Sequence, residues 1–222
     1  MSVVKILLLI FGVIVVLVAI GMIVAGGGVL WANSALTDDD GYFTTKTLRI
    51  DKESYAIASE SADIDVASIW GLGRLVTFKV EGSNDDPSKN IFIGVAEERD
   101  LEDYLRDVEY HEVTDLKISP DRLEYSKRPG NSKPASPHEQ AFWTESAHGT
   151  GTQTLEWELE SGTWSLVLMN DDGSAGIDLS IVLGAKIPHL FSVGIGFVVG
   201  GIVALLLGAF MIVLAVRRSP RS

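Results

Sequence analysis

There is no cysteine anywhere in the 222 residues. Disulfides, thiolate zinc sites, iron–sulfur clusters and a cysteine nucleophile are therefore excluded. The sequence also lacks the short signatures of catalysis. It has no H-E-x-x-H, no G-x-S-x-G and no D-x-[DN]-x-[DN]-G ligand ladder. Gly149-Thr150-Gly151-Thr152 has neither the Lys nor the following helix that would capture a phosphate. It precedes a strand pattern and reads as a turn.

Charge is missing from two long runs. Ile6 to Leu30 is 25 residues without a charge, and Leu190 to Val216 is another 27. A helix crosses the hydrocarbon of a bilayer in about 20 residues. The first run is too long for the ~7–15-residue apolar core of a signal peptide, so it is read as an uncleaved anchor. The expected layout is a cytoplasmic N-terminus over 1–5, a transmembrane helix over 6–30, a domain over 31–188, a second transmembrane helix over 189–216, and a basic tail over 217–222.

What charge there is lies between the spans. Residues 31–188 hold all 30 Asp and Glu but only 14 of the 18 Lys and Arg, a net charge of −16. Lys5, Arg217, Arg218 and Arg221 flank the spans on their other side. Lys and Arg collect on the cytoplasmic side. Both termini are therefore expected in the cytoplasm of a cell-membrane protein, with the acidic centre extracytoplasmic. Phosphate binding needs a basic face, so nucleic acid is not an expected partner. An extracytoplasmic domain with no disulfide is more typical of bacteria than of the eukaryotic secretory route.

The central segment alternates like strands. Leu155, Trp157 and Leu159 alternate with Glu156, Glu158 and Glu160, and Val76, Phe78 and Val80 with Thr77, Lys79 and Glu81. Ile177 to Leu183 repeats the pattern. Ile91–Ala96 and Trp164–Met169 are almost wholly apolar and read as central strands covered on both faces. Weaker strands are expected at 42–50, 54–59, 63–67, 109–113, 123–126 and 140–144. Glu160-Ser161-Gly162 is expected to close a hairpin, and Asn170-Asp171-Asp172-Gly173 to form a turn. One helix is predicted where Leu101, Tyr104, Leu105 and Val108 share a face, with a Glu102–Arg106 pair on its surface. The fold class expected is mainly β: an antiparallel β-sandwich or jelly-roll-like domain with one short helix, flanked by two transmembrane helices.

Candidate site residues are few. Asp38, Asp39, Asp40, Asp85, Asp86, Asp171 and Asp172 are loop carboxylates of the type that binds calcium, although turn propensity accounts for each. Trp70 and Trp143 are candidates for partner contact, whereas Trp157 and Trp164 are expected in the core. His111, beside Glu112 and Asp115, is a candidate for part of a metal site. Other histidines read as surface or loop residues. Small residues recur in the spans: Gly196, Gly200, Ala204 and Gly208 in the second, and Gly21, Ala25 and Gly28 in the first. Such stripes let helix backbones approach in lipid, either within the pair of spans or between copies of the chain. No ionisable residue lies within either span, which argues against a transport path.

Several stretches are familiar together. They include Asn90 to Ala96, Asp103-Tyr104-Leu105 with Val108, and Phe142-Trp143 followed by Gly149-Thr150-Gly151 and Leu155-Glu156-Trp157. The run from Gly162 to Gly173 completes the set. They resemble two-pass membrane proteins of high-GC Gram-positive bacteria. The resemblance implies the location and the layout, and no activity, cofactor or site comes with it. The functional expectation is a non-enzymatic membrane protein with no cofactor. It presents an acidic β-sandwich to a membrane or envelope protein or to itself, as an accessory subunit. The alternative is a ligand-binding or sensory module for a sugar, a lipid or calcium.

Overall fold

The structure, a computed structural model, describes residues 3–64, 76–117 and 122–217. Trp70, Arg218 and Arg221 lie outside the described residues. Two units are separable: residues 1–37 with 188–222, and residues 38–187.

The first unit is a pair of antiparallel helices, α1 (Val3–Ala35) and α3 (Leu190–Val216). Both are long and apolar enough to cross a membrane. Leu7, Phe11, Leu206 and Phe210 are each about 60% exposed or more, an apolar surface that water would not tolerate over this area and lipid would. Only small residues are buried: Gly12, Ala19 and Gly26 on α1, and Gly194, Gly201, Gly208 and Ala215 on α3. A Cβ at Gly26 would lie 2.7 Å from the Gly194 carbonyl oxygen, and one at Gly208 3.0 Å from that of Gly12. At the open end of the pair, the Lys5 ammonium donates to the Arg217 carbonyl at 2.9 Å.

This seam departs from the expected stripes. Of those residues only Gly208 lies in it. Gly200 and Ala204 flank it, while Gly21, Ala25, Gly28 and Gly196 face outward. The observed spacing is seven, not four. Seven residues fall short of two full turns by only about 20°, whereas a step of four overshoots one turn by about 40° and soon leaves the face.

The second unit is a two-sheet sandwich. Sheet one contains β1 (Phe43–Thr44), β2 (Leu48–Lys52), β5 (Thr77–Asn84), β10 (Gln153–Glu158) and β12 (Ile177–Lys186). Sheet two contains β3 (Ala56–Ser59), β4 (Ala62–Ile64), β6 (Ile91–Glu97), β7 (Tyr110–Lys117), β8 (Arg122–Arg128), β9 (Glu145–Gly149) and β11 (Gly162–Asn170). Successive strands β9 to β12 alternate between the sheets. Glu160-Ser161-Gly162 is therefore a crossover between sheets and not a hairpin. Its brevity suits both, and only the pairing of β10 with β5 and of β11 with β6 and β3 distinguishes them.

Among the described strands, pairing is antiparallel except for β3 with β7, which run parallel. The long connection through β4, β5, β6 and α2 (Glu98–Tyr104) gives the chain room to return in the same direction. The 140–144 segment is not a strand. Phe142 and Trp143 turn inward there, and the strand follows at β9, an edge whose sequence Glu-Ser-Ala-His-Gly carries no apolar alternation. Arg106 pairs with Asp103, not Glu102.

The seven-stranded sheet is covered on both faces. Its inner face packs on the other sheet through Ile57, Val95, Trp164 and Leu168 against Ile50, Val80, Trp157 and Leu179. Trp157 and Trp164 meet edge to face across the sandwich at 5.3 Å between ring centres. Its outer face carries Ala58, Phe92, Val167 and Met169, covered by Leu101, Leu105 and Val108 around α2 and by Phe142 and Trp143. Glu98 and Asp100 occupy the first turn of α2, the favourable end of its dipole. Asp107 takes a left-handed conformation after the helix, and its carboxylate accepts from Asn131 and Ser132. The backbone here leaves no space for a side chain at Gly130, whose Cβ would sit 2.2 Å from the Val108 carbonyl carbon.

Candidate functional site

The inner faces of the two sheets do not close on each other along their whole length. They leave a cavity of about 460 Å³ whose lining, among the described residues, is almost wholly apolar. The five-stranded sheet contributes Leu48, Ile50, Phe78, Trp157, Ile181 and Leu183. The other sheet contributes Ile57, Val95, Val113, Trp164, Leu166 and Leu168. The alternation that makes these strands half-buried aims each of these side chains into the gap.

Polar groups gather at one edge, where Ser59, Glu60, Ser61 and Thr114 join the lining. Glu60 and Thr114 are exposed, so this edge is the mouth. The polar groups here are partly fixed: Ser59 Oγ accepts from the Leu166 amide at 3.0 Å, and Ser61 Oγ donates to Glu98 Oε1 at 2.5 Å. No buried side-chain polar atom among the described residues lacks a partner.

Size decides how this gap is read. It is about three times the ~150 Å³ apolar cavity that stays dry and takes up benzene, and it falls within the ~300–1,000 Å³ of small-molecule pockets. The walls offer water few partners, and their chemistry suits an apolar molecule.

The residues singled out from sequence are elsewhere. Trp143 is not a free recognition face. Its ring packs on Phe92 at 5.0 Å and Phe142 at 4.3 Å, and its indole N–H donates to the Pro137 carbonyl at 2.8 Å. Most of the calcium candidates are engaged by the chain's own donors. Asp38 accepts from Lys79 Nζ at 2.8 Å and from the Tyr42 amide at 2.7 Å. Asp85 meets Arg49 at 3.2 Å. Asp86 caps Ser88, and Asp172 caps Ser174. Asp39 and Asp40 are exposed on the turn before β1. Asp171 faces His138 and His148. His111 binds Ser54 Oγ at 3.0 Å, and burial together with Lys52 and Lys127 keeps its pKa below the ordinary value.

Lys79 is almost wholly buried yet charged. Burial alone would lower its pKa, but the hydrogen bond and charge of Asp38 raise it, and Tyr42 places a ring 4.3 Å from the ammonium. Burial first, then Glu156, pushes Tyr42 up to about 12. This cluster locks the turn before β1 onto the five-stranded sheet.

No protein-family model matches the chain, and neither does any curated protein. The fold and the cavity thus define the class: a membrane protein with a β-sheet domain holding an apolar pocket.

Proposed function

We propose that this protein is a non-enzymatic, membrane-anchored lipid-binding module, whose sandwich takes up an acyl chain between its two sheets. The cavity carries the proposal: an apolar slot with a polar mouth fits a molecule that is hydrocarbon along its length and polar at one end. A sugar would leave its hydroxyls unpaired against these walls. The two apolar helices keep the domain tethered at a bilayer, the source of such ligands. The acidic domain lies on the extracytoplasmic side, with Lys5 and the arginine tail in the cytoplasm. Support for that orientation is the segregation of charge about the spans. A bacterial envelope of the high-GC Gram-positive type suits both the resemblance in sequence and the absence of cysteine.

The test uses the full chain in mild detergent, carrying Trp31→Phe so that the exposed tryptophan of α1 is silent. Brominated fatty acid is expected to quench Trp157 and Trp164 saturably. Val95→Phe with Val113→Phe, two side chains on the cavity wall, is expected to abolish that quenching. Quenching that is unsaturable, or unchanged in the filled variant, overturns the reading. Protease added to intact cells is expected to cut the domain and to spare the tail.

A further inference from the structure

On the outer face of the seven-stranded sheet, opposite the cavity, three potential metal ligands converge from separate elements. His138 lies in a single 3-10 turn (Pro137–Glu139), His148 on edge strand β9, and Asp171 in the turn between β11 and β12. Their ligating atoms all lie within 4.8 Å of one another, and among the described residues no other group of three such side chains does so. One carboxylate oxygen of Asp171 is 2.8 Å from His138 Nδ1 and 3.4 Å from His148 Nδ1. The two imidazoles stack, 5.1 Å apart and 13° from parallel, and both Nδ1 atoms face the same Asp171 oxygen.

We propose that His138, His148 and Asp171 bind a Zn²⁺ ion. Two neutral imidazoles and one carboxylate are a three-residue zinc set, and three protein ligands leave a fourth position for water or an incoming group. Zn–N and Zn–O bonds of about 2.0–2.2 Å place tetrahedral ligand atoms ~3.3 Å apart. The present separations bracket that figure, so small side-chain rotations of two half-exposed histidines complete the site. In the metal-free protein His138 Nδ1 bonds the Asp171 carboxylate at 2.8 Å and His148 Nδ1 lies 3.4 Å from the same oxygen; on binding, each neutral ring carries its proton on Nε2 and turns the Nδ1 lone pair to the ion.

The frame behind the ligands is rigid. The Trp143 indole and the Gln140 amide hold the 3-10 turn through the carbonyls of Pro137 and Ser136. The Asp171 amide donates to the Asn90 carbonyl at 3.0 Å. Asn170, fully buried, donates to the carbonyls of Ser174 and Gly176 and fixes the other side of the turn. Gly173 is left-handed, and a Cβ there would meet the Pro134 carbonyl at 3.0 Å. The ligands thus approach a metal already ordered, which limits the entropy lost on binding.

The experiment titrates Zn²⁺ into the full chain, without a histidine tag, in mild detergent at pH 7.5, with calorimetry and thermal melting as readouts. One ion per chain is expected, with a rise in melting temperature that EDTA reverses. Co²⁺ in its place is expected to give the intense visible absorption of a tetrahedral site. His148→Ala and Asp171→Asn are each expected to weaken Zn²⁺ binding roughly tenfold or more, with the metal-free melting temperature of His148→Ala unchanged. If His148→Ala fails to fold, His138→Gln, on the exposed turn, takes its place. No binding below 100-fold molar excess, or binding that survives both histidine variants, overturns the proposal.

Discussion

Along the helix seam a methyl group is already too much: Cβ atoms at Gly12, Gly26, Gly201 and Gly208 would come within about 3 Å of the opposing helix. Between the two sheets about 460 Å³ stands open, bounded by tryptophan, phenylalanine and aliphatic side chains. The two regions are built from the same apolar alphabet and pack in opposite ways. In the bilayer the outer surface of each helix is solvated by lipid, so helices associate by removing side chains until the backbones touch. In water the sandwich is held by burying large side chains, and between them it leaves an apolar gap.

The difference can be broken from either side. Trp164→Ala is expected to cause the largest loss, about 3–5 kcal/mol. It removes one wall of the cavity, the edge-to-face contact with Trp157 and the hydrogen bond from its indole to the Glu160 carbonyl. Chemical denaturation of the full chain in detergent measures it. Saturating acyl ligand is expected to restore part of the loss, since binding stabilises the folded state by mass action.

Gly26→Leu comes next, at about 1–3 kcal/mol or somewhat more, because the new side chain meets the Gly194 carbonyl and Phe197. Gly21→Leu, five residues away in open space, is expected within about 0.5 kcal/mol of the parent. Melting of the helical circular dichroism signal in mild detergent separates the two. Equal effects would sink the seven-residue seam.

Adding carbon to the sandwich should have the contrary sign. Val95→Phe with Val113→Phe is expected to gain about 0.5–2 kcal/mol in the ligand-free protein while binding is lost. The smallest effect concerns pH. Burial raises the Asp38 pKa, but hydrogen bonds from Lys79 and the Tyr42 and Asp40 amides and the charge of Lys79 lower it more, so it sits below 3.8. Its contribution is complete above pH 3.8 and disappears as the pH falls through the lowered value. Glu81 and Asp40 also face Lys79 and keep it charged. Asp38→Asn is therefore expected to flatten the acid limb of a stability–pH curve below pH 3.8, read by thermal melting.

Much of the sandwich was legible because burial on one face writes itself into alternate residues. Leu155 and Trp157 are buried and Glu156 and Glu158 exposed, as their period demands. Ile91 to Ala96 is buried throughout, and that run is apolar throughout. Strand β9 left no such trace, because an edge strand takes its order from the backbone of β6 and not from its own side chains. The zinc candidate was illegible for a related reason. His138, His148 and Asp171 have no sequence spacing in common and meet only because their turns end on one side of one sheet.

Sequence alone determined which two runs are apolar enough to cross a membrane, since a charge costs several kcal/mol in hydrocarbon whatever surrounds it. It also determined which residues pair as wet and dry faces, a property of each strand by itself. Tertiary structure decided which sheet each strand joined, which glycines touched, and that the sheets parted enough to leave a gap of about 460 Å³. Those outcomes depend on distances between residues far apart in the chain, and no local period records them.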